Sequence, residues 1–208
     1  ASILNTAQYN FNGTQVNAIV PWVLPNPYVR WEEVEQYNVG ADLAMLNQRI
    51  YLNLDAYIKN TNDMLVPMQV PISSGYSDEA VPQINAGKMR NKGIELTLNT
   101  NIIRKSLFSW DMNITLAHNK QRIEKLSNQV YKADTIRTGS LHGIRGMSNQ
   151  YAQLVIEGYP VGAFFGPKCS GIDSLGKFIM EDGGKVQYLG TVQPKLSFGW
   201  STTFTYRQ

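Results

Sequence analysis

Charge is scarce in this sequence. Of 208 residues only 17% are Asp, Glu, Lys or Arg, and 19 basic against 16 acidic side chains leave a net charge of +3. A surplus so small and dispersed does not build an electrostatic footprint, so no nucleic-acid partner is expected. Cysteine is nearly absent: Cys169 stands alone, which excludes an internal disulfide framework and a cysteine zinc cluster and leaves a free thiol filling a small space. Long apolar runs are missing as well. The best, Ala18 to Pro25, is interrupted by Pro21 and ends on Pro25, far short of the ~18 residues of a spanning helix. The two histidines, His118 and His142, have no metal-ligand spacing. Gly-x-Ser-x-Gly and His-Glu-x-x-His are lacking, and Gly183-Gly184-Lys185 has neither the upstream glycine nor the following Ser/Thr of a phosphate loop. No catalytic residue, metal site or cofactor is therefore expected, and the chain is not read as an enzyme.

What is abundant is strand and turn chemistry. The sequence has 18 Asn, 17 Gly and 11 Tyr; Asn and Gly favour turns, Tyr favours strands. Alternation with period two follows, the mark of strands whose two faces meet different surroundings. From Gln36 to Leu46, Tyr37, Val39, Ala41, Leu43 and Met45 alternate with polar or small residues. A two-residue turn at Asn47-Gln48 leads into Arg49–Asn60, where Ile50, Leu52, Leu54, Ala56 and Ile58 share one face. The pattern returns at Lys92–Asn101 (Ile94, Leu96, Leu98), at Leu107–Asn119 (Phe108, Trp110, Met112, Ile114, Leu116) and at Lys195–Arg207 (Phe198, Trp200, Phe204, Tyr206). Tyr151–Glu157 is a sixth, weaker strand.

These strands run about 10 to 13 residues, against the ~5–6 usual in globular proteins and the ~9–11 of transmembrane strands. Their connections alternate between short and long, as periplasmic turns and extracellular loops do in outer-membrane barrels. The fold class expected is all-β, an antiparallel transmembrane β-barrel portion of five or six long strands. The map is a single barrel domain over 1–208: extracellular loop 1–35, strand hairpin 36–60, extracellular loop 61–91, strand hairpin 92–119, long extracellular loop 120–194, strand 195–208. Aromatics at the strand ends with aliphatics between them match the girdles of such walls. The chain starts at Ala1 and stops at Gln208 within a strand-like pattern, so a fragment is expected. The alternative is a soluble β-sandwich, a carbohydrate-binding module using loop aromatics, with the apolar faces covered by a second sheet.

At residues 26–43, Asn26-Pro27-Tyr28-Val29-Arg30-Trp31-Glu32 and Gln36-Tyr37-Asn38-Val39-Gly40-Ala41-Asp42 resemble the "NPxLxWExTxQxNxGxD" segment of SusC/RagA-type TonB-dependent outer-membrane transporters. In order along the chain, Asp55–Leu65 is similar to that family's "DxYxKxTxDxL", Asn85–Leu96 to "NxGxMxNKGxEL", and Glu157–Gly166 to "EGxPxGxFYG". Gly190, Pro194-Lys195 and Gly199 fit its return into the barrel. The resemblance implies a late section of a roughly 22-stranded barrel of a Gram-negative outer membrane, importing an oligosaccharide or peptide. It implies as partners the chain's own plug domain, a TonB complex reached through an N-terminal part absent here, a SusD-type surface lipoprotein as lid, lipid and lipopolysaccharide around the wall, and a polar solute inside. One departure stands out. The Asp-rich stretch common in the family reads Phe178–Val186 here, with only Glu181 and Asp182 as carboxylates, too few for a site wanting 6–8 oxygen ligands.

Binding groups remain as the candidate function carriers. On the inward face these are Asp42, Asn53, Asp55, Tyr57, Glu95 and Asp111, able to hydrogen-bond a plug or a polar solute. In the loops they are Trp22, Tyr159, Phe164 and Phe165, which can stack on a sugar ring or form a protein interface.

Overall fold

The computed structural model describes residues 4–21, 25–68, 82–128, 131, 135–141 and 150–206. Trp22, Tyr76, His142 and Arg207 lie outside them. The strands are β1 (Leu4–Phe11), β2 (Thr14–Pro21), β3 (Glu33–Met45), β4 (Ile50–Pro67), β5 (Gln83–Arg104), β6 (Phe108–Lys125), β7 (Ile136–Ser140), β8 (Tyr151–Val155), β9 (Ala163–Pro167), β10 (Cys169–Ile172), β11 (Phe178–Met180), β12 (Val186–Thr191) and β13 (Ser197–Tyr206). The five long ones form one antiparallel sheet in the order β13-β6-β5-β4-β3.

Register turns the period-two pattern into surfaces. Leu43, Leu52, Leu98, Ile114 and Trp200 are successive cross-strand partners, and Ala41, Leu54, Leu96, Leu116 and Phe198 form the next row. Val39, Ala56 and Ile94 follow, with His118 at their end. At the short-turn end, Phe204 stacks on Phe108 and Trp110 at centroid distances of 6.2 and 5.4 Å. From Phe108 to His118 is ten steps along β6, or about 34 Å at ~3.4 Å per residue. At a tilt of ~35–45° that is close to the ~25 Å apolar height of a barrel wall. No side chain in these rows is buried: Val39 is 72% exposed, Ile94 54% and Phe198 65%. A sandwich requires a second sheet over them, and among the described residues none lies there.

The sheet departs from the expected boundaries in three ways. First, β4 and β5 continue into 61–67 and 83–91, and β6 runs to Lys125, so parts of the expected loops are strand. Second, the β3–β4 turn takes four residues. Pairing ends at Met45–Ile50, Leu46, Asn47 and Gln48 all adopt positive φ, and the Arg49 N–H lies 3.1 and 3.2 Å from the Met45 and Leu46 carbonyl oxygens. A two-residue turn wants glycine at positive φ, and none is present. Third, the region expected as loop 1–35 holds the β1–β2 hairpin, closed by Asn12-Gly13 at φ 49° and 80°, and β8 joins a separate sheet ordered β12-β9-β8-β7. Cys169 is exposed on β10 and fills no interior space.

At the loop end the sheet is braced. Asn85 on β5 donates to the carbonyls of Arg30 (2.9 Å) and Asp63 (2.7 Å) and accepts from the Arg30 N–H at 2.8 Å. Asn26 donates to the Gln83 carbonyl, Glu32 accepts from the Leu65 N–H, and Arg30 pairs with Asp63 at 3.3 Å. The segment 26–32 thereby lies along the β4–β5 end, where Asp63 (φ 52°) marks a bulge. Nearby, Val66, Ile123 and Leu126 are buried among Met64, Met89, Ile136 and Val155. Met89 and Ile123 are cross-strand partners on the face opposite the apolar rows, so this small core ties the β7–β8 layer to the polar side. Asn85→Ala removes three hydrogen bonds worth ~0.5–1.5 kcal/mol each. We expect faster amide exchange at Arg30 in the full-length protein, with exchange in the middle of β4–β6 unchanged.

Candidate functional site

The polar face is built by the same ladder, one residue out of phase with the apolar one. Its rows run Asn38–Tyr57–Gly93–Asn119, then Gly40–Asp55–Glu95–Ala117, then Asp42–Asn53–Thr97–Thr115, then Ala44–Tyr51–Asn99–Asn113. Asn101 and Asp111 close it toward the short turns. Amide side chains cross-link the strands. Asn53 donates to Asp42 at 2.7 Å, Asn113 to Asn99 at 2.6 Å and Asn101 to Asp111 at 2.6 Å. Two of the expected carboxylates, Asp42 and Asp111, are therefore engaged within the wall. Asp55 and Glu95 differ: they face each other directly across β4–β5, an unfavourable juxtaposition of like charges, and neither has a cation partner among the described residues.

Glycines make room on this face. A Cβ at Gly93 would lie 2.7 Å from the Tyr57 phenol ring and hydroxyl, and one at Gly40 would collide with the Asp55 carboxylate. Tyr57 thus lies flat over Gly93, and Asp55 over Gly40. Two hollows flank Tyr51. One of about 330 Å³ is lined by Asp42, Leu43, Ala44, Tyr51, Leu52, Asn53 and Asn99, and one of about 340 Å³ has Asn99, Asn101, Asp111, Asn113 and Ser201 on its lining. Tyr51, Asn99 and Asn113 are not among the expected site residues; their i, i+2 spacing from Asn53, Thr97 and Asp111 on the same strands is the signal that places them on this face.

The loop aromatics divide. Tyr159, Phe165 and Tyr188 form a cluster with centroid separations of 5.1, 5.1 and 5.7 Å. Tyr188 is not among the expected site residues; pairing of β12 with β9 sets it opposite Phe165. Phe164, the neighbouring residue on the strand, belongs to the other face of β9, and Trp22 lies outside the described residues. The cluster is fastened to the wall by the residues just before it. Glu157 accepts from the Leu126 N–H at 2.7 Å and the Ser127 hydroxyl at 3.3 Å. Gly158, at φ 90°, donates to the Ile123 carbonyl, and the Ile123 N–H donates to the Tyr159 carbonyl. Gly162, at φ 78°, is packed so closely on Val192 that a Cβ would lie 2.6 Å from a methyl carbon.

Chemically this is a recognition surface. Amides, hydroxyls and carboxylates line the sheet, and a ring cluster stands at its loop end. Among the described residues, no three His, Cys, Asp or Glu side chains converge as a metal site would require.

Comparison with known proteins fits that geometry. The family model for the TonB dependent receptor-like β-barrel matches residues 4–203. TonB-dependent receptors P3 and P26 of Formosa agariphila are 30% and 27% identical over 79% and 99% of the chain. The chain spans only 16% and 22% of their lengths. TonB-dependent receptor SusC of Bacteroides thetaiotaomicron is 30% identical over 58% of the chain, which covers 12% of it. Among solved structures, the RagAB peptide transporter superposes over the whole chain, and 23% of its own chain, with a TM-score of 0.75 at 19% identity, a likeness of fold. The relatives are receptors and transporters rather than enzymes.

Gly93→Ala alone should destabilise the full-length protein by ~1–3 kcal/mol through overpacking against Tyr57. In the Tyr57→Ala background the same change should cost far less, a coupling readable from a double-mutant cycle of denaturation midpoints.

Proposed function

The chain belongs to the TonB-dependent receptor-like β-barrel family, and from that premise we propose that it is of the SusC/RagA type and forms part of the wall and cap of an active nutrient importer, a reading supported by its likeness to SusC and to the RagAB transporter. Its place is the outer membrane of a Gram-negative bacterium. The observation that carries the reading is the five-strand register, which lays an exposed apolar band on one face and a hydrogen-bonding surface on the other. The first face meets lipid, with 46–49 and 105–107 as periplasmic turns and the long connections outside. The second lines the lumen. Asp55 and Glu95, lacking cation partners in the wall, face the plug or a passing polar solute.

The solute is an oligosaccharide or a peptide, and the Tyr159–Phe165–Tyr188 cluster is the surface it first meets outside. A SusD-type surface lipoprotein serves as the lid over these loops. TonB, engaged by a part of the protein beyond this section, supplies the energy. Import is conformational in this scheme: the solute is captured outside, the plug rearranges and the solute passes inward, with no covalent step at the wall.

Leu54→Arg in the full-length protein places a charge near mid-height of the apolar band and should cost ~2–4 kcal/mol, seen as a lower unfolding midpoint in bilayers. Asp55→Asn should leave assembly intact. Equal tolerance of the two changes sinks the face assignment. Tyr159→Ala with Phe165→Ala should reduce TonB-dependent uptake in a strain relying on this transporter, with unchanged amounts of protein in the outer membrane. Unchanged uptake would remove the cluster from the solute path.

A further inference from the structure

Just beyond the apolar band, on the same outward face, the chemistry changes within one cross-strand row. Above Ile94 and His118 come Lys92 and Lys120, direct partners across β5–β6, and above those Arg90 and Arg122, again direct partners. Like charges set opposite each other are unfavourable unless a counter-charge joins them. None is supplied from within: the ion pairs among the described residues are Arg30–Asp63 and Lys168–Glu181. Arg90 spends its Nε–H on the Asn60 side chain at 2.9 Å, which aims the guanidinium without neutralising it. The nearest carboxylates on this face, Glu35 beyond Asn60 and Glu124 beyond Arg122, make no ion pair with the four cations.

A second feature adjoins this block. Ala56 is the smallest side chain of its row, and over it opens a largely apolar hollow of about 460 Å³ between Tyr37, Ile58 and Ile94, with Lys92 and Lys120 at its rim. His118 completes the rim, its Nδ1–H held by the Lys195 carbonyl. One molecule satisfies both features if it carries phosphate at one end and hydrocarbon at the other. Lysine and arginine suit phosphate oxygens as point charge and planar fork, and the hollow suits a chain lying along the wall.

We propose that this patch binds a phosphate-bearing, multiply acylated lipid of the outer leaflet, its phosphate between Lys92 and Lys120 and one acyl chain in the hollow over Ala56. The proposal rests on the assignment of this face to lipid. A zwitterionic phospholipid is a poorer occupant, because its own cation opposes the four already present.

Native mass spectrometry of the full-length transporter in detergent tests this, with bis-phosphorylated lipid A, enzymatically dephosphorylated lipid A and inorganic phosphate as separate probes. The phosphorylated lipid should remain bound, with K92Q/K120Q weakening it at least about tenfold, given ~1 kcal/mol per basic residue near an anionic surface. A56L should weaken it with no change in charge. K59Q, which removes a cation from the opposite face of β4, should leave binding unchanged. Equal retention of both lipids, indifference to K92Q/K120Q, or inorganic phosphate binding as well as the lipid would each overturn the proposal. If those results come with Leu54→Arg still destabilising, the lipid site alone fails; if Leu54→Arg is tolerated, the face assignment fails with it.

Discussion

Everything in this structure depends on the cross-strand register of β3, β4, β5, β6 and β13. Because side chains alternate with a period of two, sliding one strand by a single residue would carry its apolar set to the polar side and expose carboxylates where Leu54 and Leu96 now stand. The ladder satisfies the backbone and sorts the side chains in the same act. In hydrocarbon that double duty is obligatory, since unpaired N–H and C=O groups there have no water to turn to. The irregularities respect this. The register shifts at Thr61/Met64, Lys88/Met89 and Asn101/Ile103 sit toward the strand ends, leaving the pairing of the central rows unbroken.

The segments by which the sequence resembles its family turn out to be fittings of this frame. Where β4 and β5 leave the regular ladder, Arg30 pairs with Asp63, and Asn26, Glu32 and Asn85 satisfy backbone groups. Glu157 and Gly158 do the same for the free edge of β6, and Gly40 and Gly93 exist for the side chains that lie over them. Most of these motif residues hold a shape, while Asp55 and Glu95, which belong to the same segments, are left without a cation partner among the described residues. The cations beyond the apolar band and the facing pair Asp55 and Glu95 on the polar face follow one pattern: none of them has an ion-pair partner among the described residues.

How far the sequence could be read follows from where its two faces differ. From Gln36 to Leu46 lipid and lumen impose opposite demands, so alternation was plain and the strands were found. Past Asn60 and before Lys92 both faces meet water or packed loop, the demand for alternation lapses, and the strand continuing to Pro67 looked like loop. The Asn12-Gly13 dipeptide carries a strong hairpin signal, yet it falls in the stretch expected as the loop 1–35. Of the candidate site, the shared face of Asp42, Asn53, Asp55, Tyr57, Glu95 and Asp111 is legible from period alone. That Asp42 and Asp111 would be taken by neighbouring amides was not, since it depends on register between strands. Nor was the union of Tyr159 with Tyr188, which are brought together by β9–β12 pairing across more than twenty residues.

The exposure of the apolar rows bears on how such a wall comes to exist. Val39, Leu54, Ile94, Phe198 and Trp200 all stand exposed on one face of the paired strands. A bare hydrocarbon-seeking face of that extent is, in water, a site for unwanted association. Completing it early would therefore be hazardous. The same pairing that gives the wall its two surfaces is safe only when lipid arrives with it, so folding and insertion have to be one event, and the aqueous transit before it has to keep these strands apart.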